Sequence, residues 1–141
     1  MKSDYSTAVD MLQARQLKAT KTRVELLKNM LEHSNAIPFS LIQKKLSQYD
    51  RVTLYRTLKT FVEKGIIHRA LIKPDDTYYA LCETHCTHHA HDHSHIHLQC
   101  RICGSVSCET TGYNLQMETP MFDIEKINIQ IEGVCSSCKT K

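Results

Sequence analysis

Two cysteine pairs with the same spacing constrain the fold of this chain more than any other feature. Cys100 and Cys103 form the first pair, and Cys135 and Cys138 form the second, with two residues between the members of each. Such a gap allows a tight turn that directs both thiolates to one ion, and two turns complete a tetrahedral four-thiolate zinc site. Two disulfides or four buried thiols are the alternatives. The chain opens without an apolar secretory segment, which favours a reducing cytoplasm and therefore structural zinc.

The distance between the pairs adds a second constraint. They are 31 residues apart, so a substantial element must fold between them, and zinc would clamp two distant segments of one domain. A chain of 141 residues holds one medium domain or two small ones that are short of core. Zinc or dimerisation would supply the missing stability. No apolar stretch approaches the length of a membrane helix, so we expect a soluble cytoplasmic protein.

The charge is distributed unevenly along the chain. Residues 1–75 carry 14 Lys and Arg against 7 Asp and Glu, whereas residues 76–141 carry 4 against 8. The net charges are therefore +7 and −4. This favours a first half that faces phosphates and a second half with another role, with a solvated basic surface as the alternative.

Apolar periodicity predicts two helices before residue 50. Residues 22–33 show an amphipathic pattern, with Thr20 or Thr22 available as the N-terminal cap. Ser40 stands three residues before Gln43 and opens a second apolar run. This spacing predicts a capping box at the start of a short second helix.

A third helix and a hairpin complete a recognisable series. The helix is expected after Asp50, and Gly65 is placed to end it. The β-branched runs at 66–72 and 77–81 flank a turn and predict a hairpin. Two short helices followed by a hairpin are typical of a winged helix whose last helix enters the DNA major groove. A helical bundle with merely exposed basic residues is the alternative.

The outward face of the third helix supplies most of the predicted DNA contacts. We expect Arg56 and Tyr55 to come closest to bases or sugar, and the remaining residues to contact phosphates. The full predicted set is Lys18, Arg23, Arg51, Thr53, Tyr55, Arg56 and Lys59.

Five segments, taken in order, resemble the ferric uptake regulator family. They are Thr20–Arg23, Arg51–Leu58, Gly65–Ile67, His95–Gly104 and Cys135–Cys138, and the similarity covers roughly residues 10–138. The resemblance implies an N-terminal winged helix-turn-helix domain and a small α/β dimerisation domain carrying the four-cysteine zinc site. It also implies a homodimer that binds palindromic operators on double-stranded DNA when metal is bound. We therefore predict an α+β fold, with a DNA-binding domain at 1–82, a histidine-rich linker or insertion at 83–94 and a metal-binding dimerisation domain at 95–141.

The resemblance also implies a regulatory metal site. His95 and His97 match the paired sensor histidines of the family, and both would point to one side of a strand. Cys82 is similar to the sensor cysteine of the zinc uptake regulator branch, and His68 to its remaining ligand. A thiolate among imidazoles favours Zn²⁺ over Fe²⁺, which prefers carboxylate and imidazole.

Some alternatives for this site remain open. The histidine-dense run at 85–93 resembles an insertion that could move the ligands, so that Cys86 or His93 replaces Cys82 or His68. The run itself could be a flexible loop without a defined site. Cys108 could supply a third site or a redox thiol, although an ordinary buried cysteine is the simpler interpretation.

The last segment predicts a dimer interface. Alternating isoleucines at 127, 129 and 131 predict a strand with one apolar face, which could belong to a sheet shared by two subunits, and a short helix is expected at 113–119. The functional prediction is a metal-dependent repressor of metal-uptake genes that senses zinc. An iron(II)-responsive repressor of the same family and a histidine-rich metal buffer or chaperone are the alternatives. An enzyme is not expected, because no nucleophile and base arrangement is found.

Overall fold

The computed structural model describes residues 3–33, 35–73, 75–82, 96–109, 118–124 and 129–140. The elements are α1 (Asp4–Ala14), α2 (Lys21–Leu31), β1 (Ile37–Pro38), α3 (Phe39–Lys45), α4 (Arg51–Glu63), β2 (Ile67–Ile72), β3 (Thr77–Leu81), β4 (Ile96–Cys100), β5 (Val106–Glu109), β6 (Gln130–Gly133) and α5 (Ser136–Lys139). The strands form two three-stranded sheets. Within the described ranges, no helix combines the length and the apolar character needed to span a membrane.

Helices α1 to α4 share one apolar core. Its most deeply buried side chains come from all four helices and from the strands beside them, and include Leu12, Leu26, Leu27, Ile42, Leu54, Leu58, Phe61 and Ile67. Ala8 and Leu12, one turn apart on α1, face this core. The first helix was not predicted, although Ser3 caps it by accepting a hydrogen bond from the Ser6 N–H at 3.2 Å.

Helix α4 begins and ends where the sequence predicted. The Asp50 carboxylate accepts a hydrogen bond from the Thr53 N–H at 2.7 Å and so caps the first turn. Past the other end, Gly65 has a φ of +73°, a conformation that favours glycine, and the chain turns into β2. Leu54, Leu58 and Phe61 are completely buried, so this face fixes the helix against the core.

The predicted hairpin is confirmed and pairs with a further short strand. β2 and β3 are antiparallel, and β1 pairs with the other edge of β3, in the order β1-β3-β2. The series α2, α3, α4 and hairpin is a winged helix-turn-helix.

The predicted capping box at the start of α3 is wrong. Pro38 occupies the N-cap position and makes no side-chain capping bond. The Ser40 hydroxyl instead donates to Asp76 in the hairpin turn. Ser40 therefore binds a carboxylate that is distant in the sequence, and not Gln43, the nearby partner that the spacing indicated.

The second sheet has the order β5-β4-β6, with β4 antiparallel to β5 and parallel to β6. The predicted isoleucine strand is partly confirmed: β6 includes Ile131, but it begins after Ile129, and Ile127 lies outside the described residues. Most of the helix expected at 113–119 also lies outside them.

The two sheets meet where β2 lies against β5. The Ala36 N–H donates to the Val106 carbonyl at 2.9 Å, and a small second core of Ala70, Leu71, Ala80 and Val106 fills the junction. Side chains that point into this junction can therefore contact residues of both sheets.

Candidate metal centres and nucleic-acid interface

The four paired cysteines converge on one point. The sulphurs of Cys100, Cys103, Cys135 and Cys138 all lie within 4.8 Å of one another, and those of Cys103 and Cys135 are 3.9 Å apart. Thiolates on a tetrahedral zinc, with Zn–S bonds of about 2.3 Å, stand about 3.8 Å apart. None of the six described cysteines forms a disulfide. The cluster could therefore hold one structural zinc.

Parallel pairing brings the two distant pairs together. Cys100 ends β4 and lies opposite Gly133, the last residue of β6. The Arg101 N–H donates to the Gly133 carbonyl at 2.9 Å, which continues the pairing into the first turn. Gly104, with a φ of +78°, then closes that turn through its N–H bond to the Cys100 carbonyl at 2.9 Å. Although 31 residues separate the two pairs, the first pair begins at the end of β4 and the second follows β6, the strand beside it.

The electrostatics of the cluster also fit a cation. The main-chain N–H groups of Cys103 and Cys135 lower the pKa of the Cys100 thiol to about 6. The Ser105 side chain and backbone lower the pKa of Cys103. In contrast, the neighbouring thiols, Cys135 first, raise the pKa of Cys138 to about 12. Four thiolates at this spacing require a positive ion between them, because like charges disfavour ionisation of the last thiol.

A second cluster lies at the junction of the two sheets. His68 on β2 and His97 on β4 are each 7% exposed, and their ring centroids are 5.3 Å apart. Ring nitrogens of both, with the Cys108 sulphur, lie within 4.8 Å of one another. Cys82 contacts the other side of the His68 ring, with its sulphur 3.4 Å from Nδ1. These residue types are zinc ligands, so their spacing and chemistry fit an ion.

The structure brings together three of the four predicted regulatory residues. His68, Cys82 and His97 lie in one cluster, whereas His95 is outside the described residues. Cys86 and the histidine run at 85–93 are also outside them. Sequence reasoning set Cys108 aside, and only the strand register connects it to the site: Cys108 is the cross-strand partner of His97 on β5.

One face of α4 is turned away from the core. Val52 is 56% exposed and Tyr55 50% exposed, and Arg56 and Lys59 are also exposed. These four positions recur at i, i+3, i+4 and i+7, so they form one helical stripe. The stripe is basic and includes a large exposed aromatic ring, which suits contact with phosphates and bases.

Of the other predicted DNA-contact residues, Arg51, Arg23 and Thr53 contact neighbouring groups of the protein. The Arg51 guanidinium lies 5.7 Å from the centre of the Phe39 ring. The Arg23 Nη1 donates to the Lys18 carbonyl at 3.1 Å, which fixes the loop before α2. Thr53 is half-buried and takes part in the Asp50 cap. Lys18 itself is exposed.

Comparison with known proteins agrees with this architecture. The model of the ferric uptake regulator family matches residues 14–130. No protein of curated function matches the sequence.

Several solved structures share the fold. A zinc uptake regulator complexed with zinc and DNA is 20% identical and superposes with a TM-score of 0.65, covering 99% of this chain and 97% of its own. Holo XcZur is 17% identical with a TM-score of 0.68, covering 99% and 100%. The ferric uptake regulator of Vibrio cholerae is 23% identical with a TM-score of 0.60, covering 90% and 98%. At these identities the likeness concerns the fold.

Proposed function

Because the chain belongs to the ferric uptake regulator family, we propose that it is a metal-dependent repressor of metal-uptake genes that senses zinc. The family is one of transcription regulators, and the proposal assigns this chain a regulatory rather than an enzymatic role. The similar regulator solved with zinc and DNA supports zinc as the metal and duplex DNA as the partner. Two thiol-containing clusters are suited to a reducing compartment, so we place its action in the cytoplasm.

One contact carries this proposal: the 5.3 Å approach of the His68 and His97 rings. His68 lies on β2, which directly follows α4, and His97 lies on β4 of the second sheet. An ion shared by the two rings would fix the position of the winged helix relative to the second sheet. Metal and operator would then strengthen each other's binding equally, typically by about 1 to 3 kcal/mol per site.

The exposed stripe of α4 supplies the proposed DNA contacts. Tyr55 and Arg56 are assigned to bases or sugar, because they lie in the middle of the stripe. The remaining assignments are to phosphates, and they are Lys18, Arg23, Arg51, Thr53 and Lys59.

The second sheet supports the proposed homodimer. β6 is an edge strand of this sheet as described, all four of its residues are exposed, and Ile131 is 44% exposed. Pairing with a second copy would cover this edge and its apolar side chain. Two recognition helices related by a two-fold axis would then suit a palindromic operator.

The two metal centres have different proposed roles. The four-cysteine cluster would hold a structural zinc that ties β4 to the segment after β6. The cluster at the sheet junction would hold the regulatory ion, with His68 and His97 as ligands. Cys82 and His95 complete the set predicted from the sequence, and Fe²⁺ is the alternative metal.

The test measures DNA binding against free metal. Protein that retains structural zinc is used to select duplexes from a random pool, and the affinity for the selected sequence is measured by fluorescence anisotropy with Zn²⁺, with Fe²⁺ and with a mild chelator. We expect a palindromic site that is bound tightly only with Zn²⁺. His97→Ala should remove the metal effect, whereas Gln99→Ala, two residues along the same strand, should keep it.

Other outcomes would change the assignment. A response to Fe²⁺ and not to Zn²⁺ would make the protein an iron-responsive repressor. Weak, salt-sensitive DNA binding with no metal effect would favour the metal buffer.

A further inference from the structure

The junction cluster contains a thiol that the sequence-based ligand set left out. The Cys108 sulphur lies 3.3 Å from Nε2 of His68. An imidazole nitrogen and a thiolate sulphur on one tetrahedral zinc stand about 3.5 Å apart, given bond lengths of about 2.0 and 2.3 Å. Cys108 is therefore already at ligand distance from the ring nitrogen that faces it.

The backbone explains why His97 joins this pair. His97 and Cys108 are directly opposite each other on the antiparallel strands β4 and β5, so their side chains leave the same face of the sheet. The ring centroids of His68 and His97 are 5.3 Å apart. Two imidazoles on one tetrahedral ion place their centroids about 5 Å apart. Three donors from three strands thus converge on one point.

Cys82 contacts the opposite side of the His68 ring. Its sulphur is 3.4 Å from Nδ1, whereas Cys108 faces Nε2. One imidazole offers one nitrogen to a given ion. When Nε2 binds metal, Nδ1 carries the proton and its N–H donates a hydrogen bond to an acceptor, and partners of this kind orient the ring of a metal-binding histidine. The Cys82 sulphur is placed to be that acceptor.

The alignment of Cys82 with His68 also has a backbone cause. His68 pairs with Ala80 across the hairpin, and Cys82 lies two residues further along the chain. The Cys82 N–H donates to the Ile66 carbonyl at 2.9 Å, which continues the pairing. Cys82 is therefore a diagonal neighbour of His68 on the same face.

We propose that the regulatory ion is bound by His68 through Nε2, by His97 and by Cys108, with Cys82 as a positioning residue. The regulatory meaning rests on the proposed function, but the site can be tested without DNA. One thiolate and two imidazoles favour Zn²⁺ over harder ions that prefer oxygen ligands. A four-coordinate ion takes one donor more than these three, and His95 of the sequence-based ligand set is the candidate for it.

Cobalt(II) distinguishes the two thiols. Protein that retains zinc in the four-cysteine cluster is titrated with Co²⁺, and the near-ultraviolet charge-transfer absorption reports each thiolate bound to cobalt. Cys108→Ser should abolish this absorption and weaken Co²⁺ binding by at least about tenfold, the lower end of what loss of even an outer partner costs. Cys82→Ser should keep the absorption, because the serine hydroxyl can still accept from Nδ1. Cys86→Ser is the control and should change neither quantity.

The same titration contains the outcomes that overturn the proposal. Absorption lost in Cys82→Ser and kept in Cys108→Ser would return the thiolate ligand to Cys82. Absorption lost in Cys86→Ser would assign it to the histidine-rich run. Retention of the first zinc reports that each variant is folded, and Cys108→Ala gives a second route if serine disturbs β5. If Cys108→Ser loses the absorption while DNA binding by the unmodified protein is independent of zinc, the site stands and the proposed function falls.

Discussion

The Ser40 hydroxyl donates a hydrogen bond to the Asp76 carboxylate at 2.5 Å, across 36 positions of sequence. The same carboxylate accepts from the Ser40 N–H at 3.2 Å. Ser40 lies in the first turn of α3 and Asp76 in the turn between β2 and β3. This pair therefore fixes the hairpin turn against the helix that precedes the recognition helix.

Replacing Ser40 with Ala should loosen the wing. The variant loses one solvent-exposed hydrogen bond and keeps the N–H contact, so we expect the free energy of unfolding to fall by about 0.5 to 1.5 kcal/mol. Chemical denaturation would measure this loss. Ser47→Ala, an exposed serine in the turn after α3, is the control. Equal stability of the two variants would show that the Asp76 contact contributes nothing to the fold.

The cap of the recognition helix predicts a pH dependence. Hydrogen bonds from the Thr53 side chain and N–H lower the pKa of the Asp50 carboxyl in the folded protein. Asp50 therefore stabilises the fold above its unfolded pKa, and this contribution is lost as the pH falls through the lower, folded pKa. Asn at the same position caps without titrating. The stability of the unmodified protein minus that of Asp50→Asn should thus decrease on acidification from pH 6 to pH 3. A difference that stays constant would mean that Asp50 does not titrate with folding.

Substitutions at two adjacent residues of α4 should have different effects, one on stability and the other on DNA binding. Leu58 is completely buried and Lys59 is exposed. Leu58→Ala should cost about 2 to 5 kcal/mol of unfolding free energy. Lys59→Ala should leave stability nearly unchanged and reduce the salt slope of DNA binding by about one. An unchanged salt slope in Lys59→Ala would remove this residue from the phosphate contacts.

Loss of one ligand should release the structural zinc. Cys135→Ser removes a member of the four-cysteine cluster, so the zinc that survives dialysis against a mild chelator should fall from about one per chain towards none. Elemental analysis gives the zinc content, and circular dichroism reports whether the variant keeps its overall secondary structure. Cys86→Ser should retain the zinc. Full retention in Cys135→Ser would contradict a four-thiolate site.

Local signals in the sequence predicted most of the winged helix. The start of α4 after Asp50, its end at Gly65 and its apolar spacing depend on residues close together in the sequence, and the structure confirms them. The capping box at Ser40 failed because its partner lies in the hairpin turn. The division of the chain at residues 82 and 94 stays a prediction.

The candidate sites, too, could be predicted only where the ligands lie close together in the sequence. The spacing within each cysteine pair predicted the four-thiolate cluster, because the ligands of each pair are local. The junction cluster depends on two sheets meeting and on the register of β4 with β5. Neither of these two features can be deduced from the spacing of residues along the chain. Cys108 could therefore be connected to His97 only once the strands were paired.

His97 and Cys100 are three positions apart on β4. Side chains at odd spacing on a strand leave opposite faces of the sheet. An ion held by His97 and an ion held by Cys100 are thus separated by the strand itself, which acts as a partition between them. Neither set of ligands can reach the other ion by a change of rotamer, so one centre can empty and refill while the other keeps its metal.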